Sequence, residues 1–122
     1  MKEYIPTEAH EQTELFKWAA LQKCKYPELE LLHHIPNGGK RNDVEAARLK
    51  AQGVKPGVPD VFLPVARKSC HGLYIELKRQ KNARVSDAQK KWIEALTGQG
   101  YQAEVCYGCQ EAIKTILQYL KG

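Results

Sequence analysis

The sequence predicts an α/β fold, a mixed central β-sheet flanked by helices, with the element order α β α β β α β α. Three observations lead there. Apolar residues recur at helical spacing near both ends, at 7–25 and 109–120. Two apolar runs rich in β-formers, 58–65 (VPDVFLPV) and 72–78 (GLYIELK), follow each other with only a turn-bearing connection between them. A helix-start sequence and another alternating segment come after the second run. Strands that are separated by helices but joined once by a hairpin make a sheet with both parallel and antiparallel neighbours.

Each element has a local reason. Thr7 is suited to cap a first helix over 7–25, Glu8 falls in its first turn, and Leu15, Phe16, Trp18, Ala19 and Leu21 give it an apolar face. Pro27 ends it. Residues 29–35 read as a short strand, followed by the Pro36-Asn37-Gly38-Gly39 loop. Asp43 can cap a second helix reaching about Gln52, with Val44, Ala47 and Leu49 expected to face inward and Gly53 closing it. The runs at 58–65 and 72–78 are the next two strands. Ser86-Asp87-Ala88-Gln89 is a capping-box pattern, so a third helix is expected up to Thr97, burying Trp92, Ile93 and Leu96. Residues 101–106 alternate as a strand, and 109–120 close the chain as an amphipathic helix through Ile113, Ile116, Leu117 and Leu120.

Composition agrees with a soluble globular chain, and 122 residues without a low-complexity linker or repeat are read as a single domain, 1–122. No apolar run approaches the ~20 residues that span a bilayer, and the N-terminal stretch lacks the apolar region of a secretion signal, so a cytoplasmic protein is expected. The formal net charge of +5 favours a polyanionic partner. Its distribution is more telling: Lys40, Arg41, Arg48, Lys50 and Lys55 precede the 58–65 run, and Lys78, Arg79, Lys81, Arg84, Lys90 and Lys91 follow Glu76. Cys24, Cys70, Cys106 and Cys109 are read as reduced, packing cysteines, because a zinc site on the Cys106–Cys109 pair would need two further ligands and the nearest candidates, Cys70 and His71, are an adjacent pair that rarely serves as both.

The chemistry-bearing residues stand out because they occupy the wrong places. Asp60, Glu76 and Lys78 lie inside runs that otherwise read as buried strand. Burying an unpartnered charge costs several kcal/mol or more, so such groups are normally paired, metal-bound or turned into a cleft. With period-two alternation Glu76 and Lys78 emerge on one strand face and Ile75 and Leu77 on the other. Two carboxylates and an amine can therefore converge. An all-oxygen set from Asp60, Glu76 and the Leu77 carbonyl suits a hard cation such as magnesium or manganese, which would activate a phosphodiester beside Lys78. A plain Glu76–Lys78 ion pair with Asp60 as a turn residue is the simpler structural alternative.

Pro59-Asp60, then Glu76-Leu77-Lys78 after a hairpin, then a helix, resembles the PD-(D/E)xK nuclease core, a restriction-endonuclease-like architecture. Within that superfamily the chain is most similar to the VRR-Nuc family of small phage and bacterial nucleases. The matching stretches, in family order, are His10-Glu11-Gln12, the loop His34-Ile35-Pro36-Asn37-Gly38-Gly39, residues 53–60 (GVKPGVPD), Glu76-Leu77-Lys78 and Ser86-Asp87-Ala88-Gln89. The resemblance implies that Asp60 and Glu76 hold a magnesium or manganese ion and that Lys78 is the catalytic lysine. It also implies a glutamate from the first helix at the ion. Glu8, Glu11 and Glu14 all qualify, and Glu11 is preferred for its Glu-Gln step. Gln89 corresponds to a family glutamine near the lysine and is equally a capping-box residue. His33 and His34 can reach substrate, although at least one is expected to be structural.

The resulting expectation is a metal-dependent DNA endonuclease of a bacterial or phage-infected cell, a homodimer that selects branched DNA such as four-way junctions. Asn37, Lys40, Arg41, Lys55, Arg79 and Arg84 are its expected DNA contacts. A catalytically silent nucleic-acid-binding module would bind without cutting, and a sequence-specific restriction-type enzyme would need an inserted base reader that this chain lacks. Another metal-dependent phosphate enzyme finds no Gly-rich nucleotide loop in support.

Overall fold

A computed structural model describes residues 4–36, 42–80 and 83–122. Nine elements follow in order: α1 (Glu8–Gln22), a 3-10 helix (Pro27–Leu31), β1 (His33–His34), α2 (Asp43–Ala51), β2 (Val61–Leu63), β3 (Leu73–Lys78), α3 (Asp87–Gly98), β4 (Gln102–Tyr107) and α4 (Cys109–Lys121). The sheet has the order β1-β2-β3-β4. β1 pairs with β2 and β2 with β3 antiparallel, Val61 standing opposite Ile75 and Leu63 opposite Leu73. β3 and β4 run parallel across the α3 crossover, with Leu77 beside Cys106. The sheet is therefore mixed, as the alternation of helices and one hairpin requires.

One face of this sheet is closed. Val61, Leu63, Leu73, Ile75 and Leu77 form a core with Leu15 and Ala19 of α1 and Ala112, Ile116 and Tyr119 of α4. Burying each such side chain is worth about 1.5–3 kcal/mol, so this layer anchors the strands that carry the charged residues. Tyr119 completes it by donating its hydroxyl to the Val65 carbonyl at 2.6 Å. The other face carries Phe62 stacked on Tyr74 at 4.0 Å, with Tyr101 meeting both edge-on, and on the same side of β3 stand Glu76 and Lys78.

Several expectations need correction. Residues 29–35 do not form one strand: Pro27, with φ preset for a helical turn, starts the 3-10 helix, and only His33 and His34 pair with β2. Leu21 lies at 81% exposure rather than on the buried stripe of α1, which ends at Gln22 before reaching Lys25. Asn42, not Asp43, caps α2, its side chain accepting the Glu45 N–H at 2.8 Å. No residue of α2 is buried, and Val44 is 82% exposed, because among the described residues no other element covers the face that Val44 and Ala47 share. Trp92, Ile93 and Leu96 are half-buried rather than enclosed, since α3 leans on the sheet with one open flank. His33 and His34 are both exposed yet make structural contacts, as expected of at least one: His33 sets its ring edge-on to Phe62, and His34 Nδ1 faces the Asp60 carbonyl.

Candidate active site

The strand β2 begins at Val61, so Asp60 sits in the bend at its mouth. Continuing the β2–β3 register places Pro59 opposite Leu77. A proline has no N–H to lend to a ladder, and the Leu77 N–H on that side is met by the Asp60 side chain, whose Oδ1 accepts it at 3.0 Å. The Asp60 carbonyl in turn accepts the Ile35 N–H at 2.8 Å and faces His34 Nδ1 at 2.8 Å. Asp60 is thus fixed from both neighbouring strands. Burial still pushes its carboxyl up to about 6, against the lowering pull of the Leu77 N–H, while the nearby Glu8 adds to the rise.

Glu76 is 2% exposed in the middle of β3. Desolvation pushes its carboxyl up to about 8, the neighbouring Asp60 adds to that, and Lys78 opposes it. Its Oε2 accepts a hydrogen bond from Gln89 Nε2 at 3.0 Å and lies 3.7 Å from Lys78 Nζ. Its Oε1 is buried and, among the described residues, has no hydrogen-bond partner. Such an orphan oxygen costs about 1–3 kcal/mol unless another ligand satisfies it.

Gln89 does two things at once. Its Oε1 accepts the Ser86 N–H at 2.8 Å while the Ser86 hydroxyl accepts the Gln89 N–H at 3.2 Å, completing the capping box. The same amide still has its Nε2 free for Glu76. The start of α3 is therefore bolted to the carboxylate.

The third carboxylate comes from the first turn of α1, and it is Glu8 that the helix delivers. One carboxylate oxygen from each of Glu8, Asp60 and Glu76 lies within 4.8 Å of the other two. Glu11, one turn later, points elsewhere: its Oε1 accepts the Cys109 N–H at 3.0 Å and its Oε2 accepts Gln80 Nε2 at 3.0 Å. Glu14 pairs loosely with His10 and Lys17 on the outside of the helix. The three glutamates could not be separated by spacing, because their spread on the helix is small and the choice is made by packing against α4. Gln80 carried no sequence signal at all.

Among the expected DNA contacts, Lys55 and Arg84 are exposed, and exposed Arg79 donates through Nη2 to the Ile5 carbonyl at 2.9 Å. Asn37, Lys40 and Arg41 lie outside the described residues. The cysteines are free thiols, Cys106 and Cys109 packed in the core. Burial drives the Cys106 thiol up to about 11, which leaves it inert as a nucleophile.

A VRR-NUC domain model matches residues 4–110. The chain belongs to the VRR-NUC family. A solved structure described as a VRR_NUC domain protein is similar at 39% sequence identity and a TM-score of 0.83, over 97% of this chain and 91% of that one. No curated protein matches. The VRR-NUC family is one of nuclease type, which makes DNA the partner of the chain. Among the described residues no helix is long and apolar enough to cross a membrane.

The donor set of this VRR-NUC chain fits a hard divalent ion. Carboxylates of Glu8, Asp60 and Glu76, from three separate parts of the chain, meet in all-oxygen chemistry of the kind hard divalent ions take. The unpartnered Glu76 Oε1 is the specific mark of that fit.

Proposed function

We propose that the chain is a magnesium- or manganese-dependent DNA endonuclease whose ion is held by Asp60, Glu76 and Glu8, with the Leu77 carbonyl as a further ligand. The observation that carries this reading is the convergence of three carboxylates beside Lys78, two of them buried and one with an unpartnered oxygen. When bound, the ion supplies Lewis-acid activation of the phosphodiester and of the attacking water.

The residues of the chain do the rest. Lys78, held 3.7 Å from Glu76 and almost fully buried, is placed to donate to the attacking water or to a phosphate oxygen as negative charge develops there. Gln89 holds the Glu76 Oε2 by a hydrogen bond, which would leave Oε1 to hold the ion. The Leu77 carbonyl points toward the β2 side, where Pro59 has no donor to offer it. Exposed Lys55 and Arg84, with the net positive charge, supply a salt-sensitive grip on phosphates that needs no base reading.

The finer reading is a homodimer acting on branched DNA such as four-way junctions. Two sites related by a two-fold axis match the two strands that must be cut, and the uncovered apolar side of α2 is consistent with a chain that completes its surface in an assembly. The test is a panel of labelled linear duplex, flap, splayed-arm and four-way-junction DNA, incubated with magnesium, manganese, calcium or chelator, using the native chain and Lys78→Ala, with light scattering on the same preparations. The expected result is cleavage of the junction by a dimer, only with magnesium or manganese, and lost in Lys78→Ala. Cleavage in chelator, or full activity in Lys78→Ala, would overturn the site. Equal cutting of duplex and junction by a monomer would overturn the branched-DNA reading alone.

A further inference from the structure

Glu11 is 4% exposed, and both of its carboxylate oxygens are in use. Oε1 caps the first N–H of α4 at Cys109, where the helix dipole favours a negative charge. Oε2 takes the amide of Gln80, two residues past the end of β3. Between these contacts lies Gly108, whose N–H bonds the Lys78 carbonyl at 2.8 Å. Gly108 has φ +90°, and a Cβ there would come within 2.9 Å of Gln80 Cγ and 3.5 Å of Glu11 Oε2. The junction is therefore built tightly around this one carboxylate.

Glu8 contrasts with it. It is exposed, and among the described residues nothing hydrogen-bonds its carboxylate, so its place at Asp60 and Glu76 is inherited from the first turn of α1. That turn is held by the Thr7 cap on His10 N–H and by Glu11, three residues on and on the same side of the helix.

We propose that Glu11 is a positioning residue: its buried carboxylate ties the first turn of α1 to the exit of β3 and the start of α4, and thereby holds Glu8 at the ion site formed with Asp60 and Glu76. This rests on the metal-site reading above and assigns Glu11 no contact with the ion or the DNA. Because only hydrogen-bond acceptance is required of it, glutamine can replace it: in Glu11→Gln the side-chain carbonyl accepts the Cys109 N–H, and a flip of the Gln80 amide restores the second bond. A metal ligand would not tolerate that change.

The test is manganese binding to the full chain, without DNA, by isothermal titration and electron paramagnetic resonance, with thermal melts in parallel. Glu11→Gln should bind within about threefold of the native chain, whereas Glu11→Ala should bind about tenfold more weakly, as expected for loss of a supporting contact. The Glu8→Ala/Glu11→Ala double variant should bind no more weakly than Glu8→Ala, because both act through one ligand. Gln80→Ala, which leaves the α4 cap in place, should melt near the native temperature yet weaken binding several-fold. A Glu11→Gln loss as large as that of Glu8→Ala would make Glu11 a ligand and overturn the proposal. So would native affinity in Glu11→Ala or Gln80→Ala, or additive losses in the double variant. If Glu11→Ala does not fold, Gln80→Ala and Glu11→Gln decide between them. Absence of manganese binding by the native chain would instead overturn the metal site itself, and this proposal with it.

Discussion

The two faces of the sheet are made for different purposes. Toward α1 and α4 every β2 and β3 side chain is apolar and enclosed, from Val61 and Leu63 to Ile75 and Leu77. Toward α3 the same strand carries Glu76 and Lys78, and no residue of α3 is fully buried. One strand thus sets apolar side chains at its odd positions and Tyr74, Glu76 and Lys78 at its even ones. The closed face can tolerate the cost of the other, where two buried carboxyls are pushed upward first by desolvation, with Glu8 adding to the rise of Asp60 and Asp60 to that of Glu76.

The sharpest way to break this contrast is to remove charge from the open face. Glu76→Gln should lower cleavage by at least about a hundredfold while leaving the metal-free melting temperature unchanged or higher, because a desolvated carboxyl with an unpartnered oxygen is replaced by a neutral amide. Cleavage rates and thermal melts check it together. If Glu76→Gln instead melts as early as a core variant, the division between the faces fails.

The reverse change belongs to the closed face. Leu15→Ala or Ile116→Ala should cost about 2–5 kcal/mol by urea unfolding, with cleavage per folded molecule retained. Both side chains are fully enclosed, so the cavity is left empty.

Raised carboxyls also give stability a definite pH slope. A group whose folded pKa lies above its unfolded one favours the fold below the unfolded value and loses that contribution as pH rises through the folded value. The window is 3.8 to about 6 for Asp60 and 4.5 to about 8 for Glu76. Metal-free stability should accordingly fall across it in urea titrations at stepped pH. Manganese affinity should rise over the same range, because the ion takes the deprotonated carboxylates and releases protons. Flat behaviour in both measurements would show that these groups are solvated.

Gln89 separates its two duties by substitution. Gln89→Glu keeps the capping-box acceptor and should hold stability within about 0.5 kcal/mol, yet it removes the donor to Glu76 and adds a charge, so cleavage should fall. Gln89→Ala loses both bonds. Native activity in both variants would leave Gln89 as a helix cap only.

How far the sequence could be read follows the same division. Asp60, Glu76 and Lys78 were legible because charge inside an apolar run has few explanations, and the mixed sheet followed from helices between strands. The capping box at Ser86 and the cap at Thr7 were local and came through unchanged. What failed depended on distant partners. Nothing in 7–14 tells which glutamate meets Asp60, because Cys109 and Gln80 make that choice from far along the chain. Val44 looks like a core residue by spacing, but spacing cannot say whether another element arrives to cover it.

The convergence of Glu8, Asp60 and Glu76 on one ion is tested most directly by anomalous diffraction from crystals soaked in manganese. A single strong peak between those three carboxylates, within coordination distance of Glu76 Oε1 and absent in Asp60→Ala, is the expected result. No peak there, or one coordinated by Glu11 in place of Glu8, would contradict it.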